Sequence, residues 1–261
     1  MQSTGRPGGG WVLLAILVWV GAGVGCQESA PPPLTWEERL LERSHGECED
    51  PAGGPCIEVV VRYLEFDGPP AQAAQLNRFV HDLLIGVKGP VTSPEEFAQE
   101  FIDNFRNAER DPSVRRNVEA SYRVIHHDAH VLSVEVAASV VGTDGRELES
   151  TRLGSFSIDQ GMPIVLGELL QPDCEAALSA LAEKRFREIH EIPDGPSLEE
   201  AGYRFPRSTF GLGQTFAVTA DGLLLSYYHV REKESTQTQV LLTREDLVDL
   251  TIPTGPLGLS R

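Results

Sequence analysis

The sequence predicts an α+β fold in which antiparallel sheets, built from tight hairpins, carry amphipathic helices packed on one face. The first observation is the strand-like alternation of apolar residues within residues 215–250, on both sides of an Asp221-Gly222 pair. Asp-Gly favours a hairpin turn because both residues tolerate positive φ. The second observation is a repeat of this pair at residues 144–145. The third is an apolar stripe at helical spacing in residues 71–85.

The first half of the chain predicts a strand followed by two well-patterned helices. Residues 36–43 have helical propensity but few apolar side chains, so they predict only a marginal helix. Residues 57–66 alternate as a strand, and residues 71–85 form the first amphipathic helix. A second helix begins at residues 93–96, because Ser-Pro-Glu-Glu is a capping box with proline at the first helical position.

The rest of the chain predicts a run of hairpins and helices. Strands are expected at residues 118–125, 131–141 and 147–158, and a helix at residues 173–189. A short capped helix at residues 197–200 leads to the final hairpin, which a third strand and a closing helix complete. Because the predicted strands follow one another through tight turns, we expect them to pair antiparallel.

Composition and charge limit the classes of function. The chain has 261 residues, of which 41% are hydrophobic, enough for a real core. Its formal charge is −17, and since Arg6 is the only charged residue among the first 25, the remainder carries −18. A nucleic-acid binder needs a basic surface, so the charge argues against that class. It fits either a cationic partner or simply a soluble acidic surface.

The N-terminus predicts a targeting segment that ends at a lipidated cysteine. Residues 11–20 are an apolar run too short to span a bilayer. Residues 23–26, Gly-Val-Gly-Cys, resemble the bacterial lipobox, so Cys26 is the expected site of cleavage and lipidation. The two chains of a diacylglycerol suffice for stable anchoring in a membrane. The alternative is ordinary cleavage with release of the protein.

The residues after Cys26 indicate where the protein would be held. By resemblance to Gram-negative lipoproteins, a residue other than Asp after the cysteine, here Gln27, favours the outer membrane. Residues 28–33 are polar and proline-rich, as expected of a tether. We therefore expect a lipid-anchored protein of the bacterial cell envelope that faces the periplasm or the surface.

The other cysteines agree with export. Cys48 and Cys56 flank a short Pro/Gly-rich loop, and a disulfide between them would add roughly 2–3 kcal/mol on the chain-entropy model. Cys174 is then left over, either as a buried inert thiol or as an alternative partner for one of the other two.

The chain divides into four predicted parts. Residues 1–25 are the signal peptide, and residues 26–56 hold the lipidated N-terminus, the tether and the small disulfide loop. Residues 57–252 form the α+β domain, either as one unit or as two subdomains at about 57–170 and 171–252. Residues 253–261 are a tail.

One cluster of histidines in the sequence is a candidate metal-binding site. His126, His127 and His130 lie close together between two predicted strands. Neighbouring side chains of a hairpin point to opposite faces, so at most two of the three converge, and no further ligand follows at a fitting spacing. His126 and His130 are therefore weak metal candidates, and no cofactor is predicted. The alternative function they would carry is that of a metal-dependent envelope hydrolase or deacetylase.

Motifs for nucleophilic or phosphate chemistry are absent from the sequence. Ser155 lacks the Gly-x-Ser-x-Gly frame and lies in a predicted strand. Residues 211–213, Gly-Leu-Gly, are not followed by the third glycine or the lysine of a phosphate loop. Acidic pairs such as Glu95-Glu96 lie in first helical turns, where the helix dipole explains them. The sequence therefore favours a non-catalytic protein.

Two stretches resemble a known family. Residues 155–170 read as a strand, a glycine turn and a Leu-Gly-Glu-Leu-Leu segment. Residues 216–223, with Tyr227-Tyr228 and residues 240–247 behind them, read as a C-terminal hairpin and closing helix. Both are similar to the RsiV-type extracellular domain of unknown function, which occurs on a lysozyme-sensing anti-sigma factor, beside a peptidoglycan deacetylase domain and on many bacterial lipoproteins. The resemblance covers roughly residues 57–252.

The resemblance implies a binding or sensing domain directed at peptidoglycan or at a wall-directed cationic protein such as lysozyme. It carries over no catalytic residue, because the family's deacetylase activity resides in a separate domain. The sequence departs from the family in two places. Residues 140–145 replace the Gly-Gly-Ala-His loop that family members commonly carry, and residues 228–233 replace their Pro-Tyr and Ala-x-Gly signature. Both departures are expected in loops where ligands bind.

Overall fold

The computed structural model of the chain describes residues 33–49, 54–108, 114–141, 147–206, 210–213, 215–232 and 234–258. Within these residues it has a six-stranded sheet, a three-stranded sheet and five helices, which confirms the predicted α+β class.

The six-stranded sheet runs in chain order from one edge to the other. Its strands are β1 (Thr35–Gly46), β2 (Cys56–Asp67), β3 (Arg115–His127), β4 (Val131–Val141), β5 (Glu147–Ser157) and β6 (Met162–Pro163). Neighbours pair antiparallel except β2 and β3, which are parallel. The expectation of purely antiparallel pairing is wrong at this pair, because the chain between the two strands is a long helical crossover rather than a tight turn.

Strand β1 replaces the marginal helix predicted at residues 36–43. It pairs with β2 along its whole length, from Thr35 opposite Asp67 to Gly46 opposite Cys56. Leu41 is its one buried residue, so the strand alternation is hidden among charged side chains. Such charges protect an edge strand from pairing with other chains. The sheet therefore begins upstream of the predicted domain boundary at residue 57.

The crossover between β2 and β3 contains both helices predicted for the first half, α1 (Pro70–Asp82) and α2 (Pro94–Ala108). The predicted cap is present, since the backbone N–H of Glu96 donates to the Ser93 hydroxyl. Both helices cover one face of the large sheet and enclose a first core there. Its fully buried members include Ile57, Val59, Leu76, Phe97, Val118, Leu132 and Phe156.

The three-stranded sheet is antiparallel and consists of β7 (Thr215–Val218), β8 (Gly222–Arg231) and β9 (Glu234–Thr243). The predicted Asp-Gly hairpin joins the first two strands. Gly222 has φ +148°, and a Cβ at this position would lie 2.1 Å from the carbonyl oxygen of Leu242. The turn therefore requires glycine.

The remaining helices are α3 (Leu166–Leu169), α4 (Glu175–Ile189) and α5 (Arg244–Leu247). Helix α4 packs against β9 and encloses a second core that contains Phe186. The predicted closing helix is confirmed as α5, where the Thr243 hydroxyl accepts the N–H of Asp246. The helix predicted at residues 197–200 is wrong, because this segment forms turns that end at Gly202 with φ +89°.

Polar contacts join the two sheets. Strand β7 lies on the face of the large sheet opposite α1 and α2, since successive strand residues point to opposite faces. There the hydroxyls of Ser133 and Ser155 lie 2.8 Å apart. Ser133 donates to the carbonyl of Val218 at 2.6 Å, and the N–H of Val218 donates to Ser155 at 2.8 Å. In addition, the amide of Gln237 bonds to both backbone groups of Thr151 on β5.

The segment after α5 packs on the domain. Leu257 is buried in the second core, and the guanidinium of Arg244 donates to its carbonyl at 2.6 Å. Residues up to 258 therefore belong to the folded body rather than to the predicted tail. Among the described residues, no helix is both long and apolar enough to cross a membrane.

Candidate functional site

The histidines predicted as a weak metal cluster have separate contacts. His126 Nε2 lies 3.0 Å from the carboxylate of Asp128, and His130 Nδ1 lies 2.6 Å from that of Asp159. The ring of His127 packs edge-on against an indole on β1. Within the part of the chain that the structure describes, no three His, Cys, Asp or Glu side chains are placed to hold a metal ion. The turn thus lacks the three protein ligands of a typical zinc hydrolase.

The serine and the cysteines considered in the sequence have contacts that support the fold. Ser155 lies in β5 and bonds to Ser133 and to the backbone of β7. Cys48 and Cys56 are disulfide-bonded, with Cα atoms 5.1 Å apart, and close the turn between β1 and β2. Cys174 is a partly buried free thiol at the start of α4. The predicted signal peptide and Cys26 lie outside the described residues.

The face of the large sheet away from α1 and α2 carries a row of carboxylates. Glu42 pairs with Val60, Val60 with Glu119, Glu119 with Ser139, and Ser139 with Glu149. Strands lie about 4.8 Å apart, so successive carboxylates in this row are about 10 Å apart. Leu41 precedes Glu42 in β1 and is buried in the first core. Because neighbouring strand residues point to opposite faces, Glu42 and the rest of the row point away from that core. We call Glu42, Glu58, Glu119 and Glu149 the acidic face.

The acidic face is accessible to a partner. All four of its glutamates are exposed. Two exposed arginines lie beside them, Arg43 next to Glu42 in β1 and Arg62 two residues after Val60 in β2. Two shallow cavities lie along it, of about 400 Å³ and 260 Å³, and both are lined by Glu119. Among the described residues, no ion pair neutralises these four carboxylates. The face therefore presents negative charge over several strands.

The second core contains a histidine pair that no sequence motif marks. His229 on β8 and His190 at the end of α4 both bond through Nε2 to the hydroxyl of Thr238, at 2.8 Å and 2.9 Å. Both imidazoles contact the ring of Phe186. Tyr203 packs against the two histidines and carries a guanidinium over its own ring.

Burial and charge keep both imidazoles neutral. Burial, together with the nearby His190 and the cation of Arg231, lowers the pKa of His229 to about 4. Burial and Arg231 also lower the pKa of His190 below its usual value. A neutral imidazole offers one donor and one acceptor nitrogen. The pair therefore acts as a polar, uncharged element inside an aromatic cluster at neutral pH.

Three buried polar atoms of this cluster have no hydrogen-bonding partner among the described residues. They are the hydroxyls of Tyr203 and Tyr227 and Nδ1 of His229. For Tyr227, the backbone N–H of Gly213 is close enough to oppose the rise that burial causes in its pKa. A buried polar atom without a partner is unfavourable, and such atoms are rare in native proteins.

A sequence signal for His229 exists in the strand alternation. The buried face of β8 contains Leu223, Leu225 and Tyr227. His229 follows two residues later and lies on the same face. The comparison with the RsiV-type family placed residues 228–233 in a ligand-binding loop. In the structure His229 lies instead inside a strand and is buried.

Comparison with known proteins supports the fold. No protein-family model and no curated protein matches the sequence. A DUF3298-family protein from Bacteroides fragilis NCTC 9343 superposes with a TM-score of 0.68 at 12% identity, covering 88% of this chain and 98% of that chain. A DUF3298-family protein from Pseudomonas aeruginosa PAO1 superposes with a TM-score of 0.59 at 16% identity, covering 85% and 95%. This chain therefore shares its α+β fold with proteins of the DUF3298 family.

Proposed function

We propose that the protein is a non-catalytic lipoprotein of the bacterial envelope whose folded domain binds a cationic, wall-directed protein such as lysozyme. Cys26 would carry the lipid that anchors it to the membrane, with the outer membrane favoured by Gln27. The polar tether of residues 28–33 leads directly into β1, the edge strand of the large sheet. The resemblance to the RsiV-type domain, including its link to lysozyme, supports this proposal.

The acidic face is the observation that carries the proposal. Its carboxylates spread over β1, β2, β3 and β5, so a broad basic surface would meet several of them at once. The remaining charge of the folded body is also negative, which would steer a cationic protein toward it over long range. Exposed charge pairs are screened by salt, so the association should weaken as ionic strength rises.

The test measures binding of lysozyme to the full-length protein in detergent micelles at about 20 mM and 200 mM salt. The decisive variant is the triple change Glu42→Gln, Glu119→Gln and Glu149→Gln on the acidic face. We expect at least a tenfold loss of affinity at low salt, because three charge contacts of about 0.5 kcal/mol or more each are removed. Their exposed side chains should leave the fold unchanged.

A matched control separates the acidic face from net charge alone. The triple change Glu175→Gln, Glu234→Gln and Asp249→Asn removes the same charge from exposed positions off this face. It should weaken lysozyme binding much less than the first triple change. Absence of lysozyme binding at low salt, or equal losses in the two triple variants, would contradict the proposal.

A further inference from the structure

Strand β9 is an edge strand of the small sheet whose outer side is unpaired. It pairs with β8 without a bulge from Thr243 to Glu234, and the sheet ends there. Its ten residues include one charged side chain, Glu234. Charged side chains and bulges usually protect an edge strand from pairing, and β1 is rich in such charges. The edge of β9 lacks this protection.

The register decides which backbone groups of β9 face outward. A two-residue turn joins β8 to β9, so Glu234 bonds to β8, and so does every second residue after it. The N–H of Thr243 confirms this alternation, because it donates to the side chain of Asp246 rather than to β8. The residues whose N–H and C=O groups point away from β8 are therefore Ser235, Gln237, Gln239 and Leu241.

These outward groups are available to another chain. Three of the four residues are exposed, and Gln237 is half-buried. No hydrogen bond within the described part of the chain uses their outward N–H or C=O groups. Backbone donors and acceptors repeated at every second residue are the surface to which an extended peptide adds as a further strand.

The β9 edge lies beside the acidic face. Strand β7 bonds to Ser155 and Leu153 of β5, and the side chain of Gln237 on β9 bonds to Thr151. The small sheet thus advances along β5 by two residues at a time. The next residue in this series is Glu149, which lines one shallow cavity together with Thr151 and Glu119. A strand added beyond β9 would therefore lie over this part of the acidic face.

The charges around the edge favour a cationic segment. Glu149 and Glu119 lie where the added strand would pass, and Glu234 is exposed on β9 itself. Of the two arginines on this part of the large sheet, Arg123 lies 2.8 Å from the carboxylate of Glu135 and is already paired. The other, Arg62, lines the cavity. Carboxylates therefore outnumber the cations that could compensate them.

We propose that the β9 edge binds an extended cationic segment of a protein partner as a fourth strand of the small sheet. Backbone hydrogen bonds to the four outward residues hold the segment. Its basic side chains, at alternate positions on one face, meet Glu149 and Glu119. The inference rests on the proposed function for the cationic character of the partner, and it adds the way in which that partner binds.

The experiment adds the peptide (Lys-Thr)₄ to the full-length protein in detergent micelles. One control peptide has glutamate in place of lysine. A second keeps the lysines but is N-methylated along its backbone, so it retains the charge and loses the donors of a strand. Hydrogen exchange measured by NMR reports single amides. We expect (Lys-Thr)₄ to slow exchange about tenfold at Gln239 and Leu241 and to leave the β1 amides unchanged.

The decisive variant is Gln239→Pro, and its matched control is Gln239→Ala. Because the N–H of Gln239 faces outward, proline keeps the bonds between β9 and β8 but removes a donor that the added strand needs. Both variants lose the side-chain contact to Glu135, so they differ in the backbone. We expect Gln239→Pro to bind (Lys-Thr)₄ about tenfold more weakly than Gln239→Ala.

Several results would overturn the inference. They are absence of (Lys-Thr)₄ binding, equal binding of either control peptide, protection of β1 instead of β9, and equal affinity of the two variants. A wild-type dimer that sedimentation detects and Gln239→Pro abolishes would assign the edge to a second copy instead. If the melting temperature shows that Gln239→Pro does not fold, the N-methylated peptide decides. Lysozyme binding by the acidic-face variants is measured separately, so the proposed function can survive the loss of this inference.

Discussion

The two cores of the protein are built from different kinds of side chain. The first, between the large sheet and α1 and α2, is formed mainly by aliphatic residues and phenylalanines such as Val59 and Phe97, with buried Tyr122 in contact with His81. The second has Phe186 in contact with His190 and His229, at ring separations of 4.4 Å and 5.3 Å. Thr238 is buried beside them.

The difference indicates where the molecule gives up stability. Each buried polar atom without a partner costs about 1–3 kcal/mol. Tyr203 and His229 both have one in the second core, and Arg116 has one beside Phe105 of the first core. Departures from the best local choice are expected at functional sites. The second core is therefore the better candidate for a functional site.

The largest effect should come from removing a ring from either core. Phe156→Ala in the first core and Phe186→Ala in the second should each lower the free energy of unfolding by about 3–5 kcal/mol. Urea unfolding followed by far-UV circular dichroism and by Trp36 fluorescence measures both. Because Ser133 and Ser155 bond the two sheets together, we expect one coincident transition in both variants. Separate transitions would show that the cores are independent subdomains.

The next effect is a pH dependence to which both cores contribute, because burial lowers the pKa of His81 beside Tyr122 as well as that of His229. The unfolded chain binds a proton at His229 near its usual pKa of 6.5, whereas the folded protein does so at about 4. The stabilising contribution is thus complete above pH 6.5 and is lost as the pH falls through 4. It amounts to roughly 3 kcal/mol at most. Urea unfolding between pH 4 and 7 should show this decline, and His229→Gln should flatten it.

A control tests whether an exposed histidine causes the decline. The variant His127→Gln changes a surface histidine beside Trp36, outside the buried pair. It should keep the wild-type decline between pH 6.5 and 4. If His229→Gln keeps the same decline as well, the titrating group is not His229.

A smaller effect is expected at the disulfide of the first sheet. The change of Cys48 and Cys56 to serine should lower the free energy of unfolding by about 2.5 kcal/mol, the entropy of the short loop that the bond closes. Chemical denaturation of the double variant, against the wild type with and without reductant, measures it. The change of Cys174 to serine is the matched control and should have a much smaller effect. A reduced wild type as stable as the oxidised one would contradict the estimate.

The smallest effect on stability belongs to Cys26→Ser. The position precedes β1, so the free energy of unfolding should change by less than about 0.5 kcal/mol. Membrane attachment should nevertheless be lost, because the thiol that accepts the lipid is gone. Detergent partitioning and mass spectrometry in a bacterial host measure both wild type and variant. A wild type that partitions into water, or that retains residues 11–20, would contradict lipidation at Cys26.

Much of the fold could be predicted because hydrophobic periodicity is strong where an element has one buried face. The stripes of α1 and α2 and the alternation of β8 are examples. Strand β1 was not predictable in this way, because Leu41 is the one side chain it buries. The parallel pairing of β2 with β3 was also hidden, since pairing direction depends on contacts distant in sequence.

The candidate sites were harder to predict than the fold. The acidic face depends on the strand register, which places Glu42, Glu119 and Glu149 in one row although they are far apart in sequence. The histidine pair depends on the packing of α4 against β9, which brings His190 to Thr238. Neither arrangement has a local spacing that a motif could capture. The histidines that do lie close in sequence have separate partners instead.

The parallel pair β2 and β3 has a consequence for the order of assembly. The hairpins β1–β2 and β3–β4 each close over a short turn, whereas the register that joins Cys56 to Arg115 encloses all of α1 and α2. Closing a longer loop costs more chain entropy, so local hairpins should be protected first. Pulsed hydrogen exchange during refolding should find the amides between β2 and β3 protected last. The β2–β3 pairing would then form last and join two parts of the sheet that have already folded.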